Sequence, residues 1–376
     1  MTAWVPQVFP PYPDHPEVLI ARVAARSAAF EGAGAAPGAP VLVGSAAGHS
    51  PDRVAAGARG ELLERLGNVM AGREAEAAAE TVATHAELRR AGRTALRPAV
   101  LTDARRLWVR GRTTRGAETL VPAGGVFLHH RPPAGCGAVP TACTTGLAAH
   151  PELASAARHA AWEVLERDLV RRSWYGIDPR PPSPLATGLP PQLAAAVEAR
   201  GLTVTAFAVP APPGVVCAVV CLHRPDGAGQ AFGARCGPAD TVGELVEKAA
   251  YEALMVRWSV RTPAALRVWS SWHATSPPAT AVQHALWAYH RQDSLRLWGL
   301  RPHRTGRTRP AARAADDPVR TDPLAVLGEH TGQDVILVET TARTAREAGV
   351  RVVRVLAPGA LPLPSRAGGG HPHPFG

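Results

Sequence analysis

Lysine is almost absent from this sequence, in which Lys248 is the one lysine among 41 basic residues. The arginines are scattered without a dense basic run, so the formal net charge of +10 does not indicate a nucleic-acid-binding protein. We interpret it as a solvated basic surface that could also attract an acidic peptide or a nucleotide. A glycine-rich phosphate loop is missing as well, because Lys248 does not stand between glycine and serine or threonine. A nucleotide would have to be held by arginines and metal ions.

Paired cysteines and long apolar runs are also missing. The five cysteines, an odd number without CxxC spacing, exclude an obvious disulfide framework or zinc site. They are Cys136, Cys143, Cys217, Cys221 and Cys236. The proline-rich N-terminal stretch MTAWVPQVFPPYPDHPEVL lacks the basic and apolar regions of a secretory signal, and no run is long enough to span a bilayer. These absences predict a cytoplasmic protein that does not bind membranes.

Hydrophobic periodicity predicts a mixed α and β protein, with 46% apolar residues among 376 to form its core. Helices are predicted at about 51–66, 74–92, 150–174, 241–260 and 280–299. Strands are predicted at 202–209, 214–223, 334–339 and 350–359, the first two as an antiparallel hairpin. The tail from Leu361 to Gly376 is predicted to form neither, because its prolines and glycines oppose both.

Glutamate pairs recur in two of the predicted helices. Glu163 and Glu166 are three residues apart in "WEVLERDLVRRSW", so they share one face of a helix that is otherwise largely apolar. Buried carboxylates need partners, and pairing with Arg167 or Arg158 is the purely structural interpretation. The earlier phrase "GELLERLG" places Glu61 and Glu64 at the same spacing, where a solvated helix face is the simpler interpretation.

A third helix adds another acid, Glu252, among apolar neighbours and five residues before Arg257. Three helices that each carry acids on an apolar scaffold suggest a cluster of hard oxygen ligands. Such ligands suit magnesium bound together with phosphates better than they suit a transition metal. The interpretation as separate ion pairs remains open at this point.

Five segments, in order along most of the chain, together resemble the YcaO family. They read "GHSPDRVAAGARGELLER", "TTGLAAHPELASAARHAAWEVLERD", "FGARCGPADTVGELVEKAAYEALMVR", "VRVVRVLAPGALPL" and "HPHPFG". The resemblance implies an α+β fold, a single large YcaO-type domain with antiparallel sheets and three acidic helices around a nucleotide site. We assign residues 1–40 to an N-terminal segment, 41–365 to the YcaO-like domain and 366–376 to a proline-rich tail.

The resemblance also implies ATP and Mg2+ as cofactors and gives roles to particular residues. Glu61, Glu64, Glu163 and Glu166 would be metal or nucleotide ligands. Glu252 would belong to the nucleotide site, and Arg257 would lie near the phosphates.

Spaced prolines at the end of the chain resemble the azoline-forming members of the family, whose terminal carboxylate reaches the active site. The implied reaction is cyclodehydration of Cys, Ser or Thr in a ribosomal precursor peptide, with the Gly376 carboxylate placed to remove a proton. A frayed terminus is the simpler interpretation of this tail. The implied partners are the precursor peptide, a separate leader-binding or ThiF-like protein and possibly a second copy in a homodimer.

Several positions depart from the family pattern. Ala47 stands at the usual lysine, Ser155 at an acid and Met255 at a glutamine. Thr144 and Thr145 replace Ser-Asn, and His150 and Pro151 replace Gly-Asn. Two alternatives therefore accompany the cyclodehydratase hypothesis: a non-catalytic scaffold that binds peptide or a partner enzyme, and an enzyme that forms thioamides or macroamidines.

Overall fold

The computed structural model of the chain describes residues 4–32, 40–97, 104–137, 142–185, 188–272, 276–291, 293–300, 321–364 and 371–375. The strands are β1 (Gln7–Phe9), β2 (Leu19–Arg26), β3 (Val41–Gly48), β4 (Val82–Ala83), β5 (Arg106–Thr113), β6 (Glu118–Pro122), β7 (Leu147–His150), β8 (Ser183–Pro184), β9 (Thr203–Val209), β10 (Val215–His223), β11 (Ala231–Pro238), β12 (Ile336–Glu339) and β13 (Arg351–Leu356). The helices are α1 (Pro51–Ala78), α2 (His85–Arg90), α3 (Leu153–Trp174), α4 (Pro191–Glu198), α5 (Val242–Val260), α6 (Pro263–Trp272), α7 (Ala281–His290), α8 (Ser294–Leu297), α9 (Pro323–Thr331) and α10 (Arg343–Glu347).

The strands form three antiparallel sheets, which confirms the expected α+β fold with antiparallel sheets. One sheet has the order β1-β2-β3, and a second has the order β11-β10-β9-β8. The third has the order β4-β5-β12-β13-β7, with β6 also paired to β5. Because β1 and β2 pair with β3, residues of the N-terminal segment share a sheet with the domain that follows. The domain boundaries stay a prediction.

The central strand β10 is buried on both faces, which explains its continuous apolar sequence. Its side chains alternate between two core clusters. Cys217 and Val219 pack in the cluster that contains α3, whereas Ala218 and Val220 pack in the cluster that contains α5. This sheet therefore holds α3 and α5 on its opposite faces, and α1 packs separately against β2 and β3.

The predicted hairpin is confirmed, since β9 and β10 pair antiparallel with Cys217 opposite Val209. The predicted helices at 74–92 and 280–299 are wrong as continuous elements. The first fails because α1 ends at Ala78, and Ala79 adopts a left-handed conformation with φ of 43°. A new helix then begins at Thr84, whose hydroxyl accepts from the Glu87 N–H at 3.1 Å while the Glu87 carboxylate accepts from the Thr84 N–H.

The second helix fails because α7 ends at His290 and the next residue, Arg291, is extended with ψ of 139°. The chain resumes helical structure only in the short α8, where the Leu295 N–H donates to the Gln230 side chain at 3.1 Å. No helix within the described ranges is long and apolar enough to cross a membrane.

The described part of the C-terminal tail forms neither helix nor strand, as predicted, but it is not frayed. His373 and Phe375 are only 5% and 3% exposed. The imidazoles of His373 and His284 stack with centroids 3.7 Å apart, and Phe375 packs against Phe232 and Trp298. Gly376 lies outside the described residues.

Candidate functional site

Glutamates of α1, α3 and α5 are each fixed by a backbone N–H that precedes the helix in the chain. The Ser45 N–H donates to Glu61 at 2.5 Å, the Gly146 N–H to Glu163 at 3.0 Å and the Ala234 N–H to Glu252 at 3.4 Å. The donor and acceptor are 16, 17 and 18 residues apart in these three bonds. The same type of backbone hydrogen bond thus orients one carboxylate on each of the three helices.

Glycine permits the close approach of strand and helix that this device needs. A Cβ on Gly44 would lie 2.0 Å from the Ala58 carbonyl oxygen, and one on Gly233 would lie 2.2 Å from the Ala249 carbonyl oxygen. β3 therefore lies directly on α1, and β11 lies directly on α5. The residue after each glycine then presents its N–H to the helix carboxylate.

Five glutamates are linked because their charges act on one another: Glu163 and Glu61 on Glu64, and Glu252 and Glu163 on Glu166. We call them the carboxylate cluster: Glu61, Glu64, Glu163, Glu166 and Glu252. Burial, followed by the neighbouring charges of Glu163 and Glu61, raises the pKa of Glu64 well above its ordinary value. Glu64 makes no hydrogen bond to any residue that the structure describes. Its carboxylate is therefore available to an added ligand.

Glu166 is the most enclosed member, at 5% exposed. Burial raises the pKa of Glu166 to about 7, although the charges of Arg235 and Arg167 oppose the shift. Its carboxylate accepts from the Cys236 N–H at 3.1 Å. Burial also raises the pKa of Glu163, against the charge of Arg167 and the hydrogen bond from Gly146.

Four arginines lie among these carboxylates: Arg65, Arg167, Arg235 and Arg354. Arg65 pairs with Glu61, and the Arg235 guanidinium donates to Glu252 at 2.6 Å. The Arg167 Nε atom is 3.8 Å from Glu166. Arg354, which is 2% exposed, donates to the carbonyls of Thr145 and Cys143 beside the cluster. The cluster thus combines hard oxygen ligands with fixed positive charge.

The predicted pairing of Arg167 with the α3 glutamates is therefore found, whereas Arg158 is exposed and makes no ion pair with them in the described residues. Sequence reasoning missed Arg235 and Arg354 because both lie on strands, with no helical spacing to relate them to the acids. Their signal in the sequence is weak: each is an arginine at an otherwise apolar strand position.

Arg257 is not brought together with the cluster. Its guanidinium donates to the Gly229 carbonyl and lies 5.3 Å from the centre of the Tyr289 ring. Burial, at 6% exposed, lowers its pKa, and the side chains that perturb it are tyrosines and arginines rather than the five glutamates. The roles predicted for Arg257 and for the glutamates remain predictions.

The donor set fits magnesium shared with phosphates. Within the described residues, no three His, Cys, Asp or Glu side chains are grouped closely enough to hold a metal ion by themselves. Mg2+ is usually bound through one or two carboxylates together with substrate phosphates rather than by an all-protein cage. The raised pKa values of Glu64, Glu163 and Glu166 also favour a bound cation, because a cation would stabilise their ionised carboxylates.

A family model described as YcaO cyclodehydratase, ATP- and Mg2+-binding, matches residues 45–361. No curated protein matches the sequence significantly. Among solved structures, YcaO from Methanopyrus kandleri bound with AMPPCP and Mg2+ is 20% identical, with coverage of 99% of this chain and 91% of that chain and a TM-score of 0.64.

Two further structures are similar at lower identity. A heterocyclase in complex with substrate and cofactor is 16% identical over 95% of this chain, with a TM-score of 0.66; this chain spans 50% of its length. The E. coli microcin synthetase McbBCD complex with pro-MccB17 bound is 13% identical over 95% of this chain and 89% of that chain, with a TM-score of 0.61. At these identities the structures show the shared fold alone.

Proposed function

This chain belongs to the YcaO family, and on that premise we propose that it is an ATP-dependent cyclodehydratase of a ribosomal precursor peptide. The observation that carries the proposal is the convergence of acids from α1, α3 and α5 with four arginines in one cluster. Glu61, Glu64, Glu163 and Glu166 would hold Mg2+. Glu252 would orient Arg235 toward the nucleotide. Arg257 would lie near the phosphates, reaching them from the other side of α5.

The proposed reaction converts Cys, Ser or Thr to an azoline. The side-chain thiol or hydroxyl loses its proton to a base as its sulfur or oxygen adds to the preceding amide carbonyl, and the resulting oxygen attacks the γ-phosphorus of ATP and releases ADP. Loss of phosphate from that carbon and of the amide proton then forms the C=N bond, so the products are the azoline, ADP and phosphate. Phosphorylation is needed because an amide oxygen is otherwise a poor leaving group, and bound Mg2+ would spread the phosphate charge.

The tail would supply the base in this reaction. We propose that the Gly376 carboxylate removes a proton from the peptide during this reaction. Supporting this, the residues just before it are packed in the core, and Arg167 is among the charges that lower the pKa of His373. Phe375 packs against Phe232 of β11, and the Cys236 N–H of the same strand donates to Glu166, so the described tail packs against a strand that contacts the carboxylate cluster.

The proposed partners are the precursor peptide and a separate leader-binding or ThiF-like protein, with a homodimer possible and the cytoplasm as location. One observation favours a second function, a non-catalytic scaffold. Ala47 stands at the position of the family's lysine and packs, partly buried, against the α5 core cluster. Because alanine carries no charge, this position offers no cation to a phosphate. Thioamide or macroamidine formation is the enzymatic alternative.

Calorimetric titration with ATP, with and without Mg2+, tests the nucleotide site. We expect wild type to bind only with Mg2+ and Glu163→Gln to lose binding by roughly tenfold or more, because a neutral amide cannot balance the cation. Glu74→Gln is the matched control, since Glu74 is exposed further along α1. Absence of binding by a folded wild type, with peptide and partner present, would favour the scaffold.

Mass spectrometry of the peptide, with fragmentation to locate each modification, then separates the enzymatic alternatives. Fragmentation is needed because a macroamidine also forms with loss of one water, but between an amine and a distant amide rather than at a Cys, Ser or Thr. Loss of one water per modified residue, with matching phosphate release, would support cyclodehydration. Exchange of oxygen for sulfur would instead identify a thioamide-forming enzyme.

A further inference from the structure

A concave site lies beside the last turns of α1, beyond the helix positions of Glu61 and Glu64. It is a cavity of about 600 Å³ between the last turns of α1, β5 and β12. Its volume is within the range of ligand sites. We call it the α1–β5 cleft and define it by Ala71, Ala75, Arg110, Phe127, Val338 and Glu339.

The wall of this cleft contains strand backbone that has no partner. The ladder between β5 and β12 runs through Ile336 opposite Thr113 and Leu337 opposite Arg112, and stops there. The Thr114 N–H donates to the Val335 carbonyl, and hydrogen-bonded pairs in an antiparallel ladder recur at every second residue. Leu337 with Arg112 is therefore the next hydrogen-bonded pair, and Glu339 with Arg110 would be the one after it. The ladder does not reach those two residues.

Hydrogen bonds on the opposite edges of β12 and β5 show which way the backbone groups of Glu339 and Arg110 point. The Thr340 N–H donates to Val352 of β13, so the backbone N–H and C=O of Glu339 point away from β13 and toward β5. The Thr113 N–H donates to Ala117 on the β6 side, so Arg110 correspondingly points away from β6. Two N–H and two C=O groups thus face the gap in the sheet.

Charge and polarity narrow the class of ligand. The floor is apolar, with Leu107, Phe127 and Val338 in one core cluster. Arg110 has no ion-pair partner among the described residues, and neither do the exposed acids Glu74 and Glu80 at the α1 side. The other two arginines of the lining are engaged, since Arg346 donates to the Thr341 carbonyl at 3.3 Å and Arg351 pairs with Glu339 at 2.7 Å. The unpaired acids beside the cleft therefore disfavour a nucleotide or phosphate. An extended peptide can present an acid to Arg110, a base to the glutamates and backbone groups to both strands.

We propose that the α1–β5 cleft binds an extended segment of a partner polypeptide, which adds as a strand to Arg110 and Glu339 and places an acidic side chain on Arg110. Strand addition supplies affinity through main-chain hydrogen bonds, and the rim supplies selectivity. This inference goes beyond the nucleotide site, and it holds whether or not the carboxylate cluster uses ATP.

The test is selection of a phage-displayed library of random peptides on the full-length protein. Synthetic versions of the enriched peptides are then titrated against wild type, Arg110→Glu and Arg112→Glu. Arg112 is the matched control, because it is an exposed arginine on the same strand that lies outside the cleft and is paired with β12. We expect Arg110→Glu to weaken binding by roughly tenfold or more and Arg112→Glu by less than about twofold.

Hydrogen exchange of the complex tests the strand addition itself. A bound strand should slow exchange of the Glu339 and Arg110 amides, whereas contact through side chains alone would leave them unchanged. Enriched peptides should contain an acidic residue within an alternating apolar pattern. Failure to enrich any peptide, equal binding to the two arginine variants, or unprotected amides at both positions would each overturn the proposal.

Discussion

At the scale of single residues, burial of Glu166 predicts a pH dependence of the stability of the fold. Its pKa is raised from 4.5 to about 7, mainly by burial. The folded state therefore binds more protons than the unfolded state between these values, and the stabilisation present below pH 4.5 is lost as the pH rises through 7. Glu166→Gln should remove this dependence.

The same titration should appear in nucleotide binding. Because metal ligands must be deprotonated, Mg2+-dependent ATP affinity of the wild type should rise by up to about tenfold per pH unit below pH 7, more steeply than the titration of ATP itself requires. The measurement is calorimetry from pH 5.5 to 8 in buffers of different ionisation enthalpy, which reports proton release, at ~0.1 M salt. A Glu166→Gln protein that released as many protons as wild type would exclude Glu166 as the titrating group.

Gly146 is a second residue with a local consequence. Its φ is +79°, and a Cβ there would lie 2.5 Å from the Val355 carbonyl oxygen. Gly146→Ala should therefore destabilise the fold by about 1–3 kcal/mol more than Gly92→Ala, which shares a positive φ but has no neighbour within 4 Å. Urea unfolding of both variants measures the difference, and equal losses would show that the contact with Val355 is relieved without strain.

At the scale of elements, α3 joins the carboxylate cluster to the C-terminal part of the chain. Asp168, fully buried, accepts from Arg172 at 2.7 Å, from His330 of α9 at 2.6 Å and from the Leu361 N–H at 2.7 Å. Arg171 and Arg172 also donate to carbonyls of Pro362 and Gly359. The helix that presents Glu163 and Glu166 thus also anchors the segment leading to the tail.

Removing this anchor should be costly. Asp168→Ala is expected to lower the free energy of unfolding by roughly 3–5 kcal/mol, because it removes the buried acceptor shared by three partly buried donors, Arg172, His330 and the Leu361 N–H. Asp334→Ala, which removes an exposed pair with Arg115, should change it by less than about 1 kcal/mol. Chemical denaturation of both variants at neutral pH is the measurement. Similar losses in the two variants would contradict an anchoring role for Asp168.

The pH dependence of Asp168 has the opposite sign to that of Glu166. Hydrogen bonds from His330 and Arg172 outweigh burial and hold the pKa of Asp168 below its ordinary value. Its stabilisation is therefore present above pH 3.8 and is lost as the pH falls through the folded pKa. Acid unfolding should shift to higher pH when His330 is replaced by Ala.

At the scale of the whole molecule, the tail is both part of the core and the proposed carrier of the base. These two roles can be separated. Phe375→Ala should lower the free energy of unfolding by about 3–5 kcal/mol, because it opens a cavity beside Phe232 and Trp298. Removal of Gly376 alone should keep stability and Mg2+-dependent ATP binding, but should abolish peptide turnover if the carboxylate is the base. Retained turnover would exclude that role.

The sequence alone determined the class of fold and most of its regular elements. Apolar periodicity places α3, α5 and the β9–β10 hairpin correctly, because these elements bury a face that the pattern reveals. It also predicted that Glu163 and Glu166 share one face of an otherwise apolar helix, and their functional role stays a prediction. The helix predicted at 74–92 was wrong, because the capping box at Thr84 begins a new helix inside a continuous pattern.

Only the tertiary structure decided how these residues meet. Ser45, Gly146 and Ala234 fix glutamates through backbone N–H groups, which no side-chain pattern encodes. Arg235 and Arg354 join the cluster because separate sheets bring their strands beside α1 and α3. Arg257 points elsewhere because it follows Glu252 by five residues, which places it about 140° around the helix from that glutamate. Local pattern is set by short-range periodicity, whereas the charges around a carboxylate depend on which distant strands pack against it.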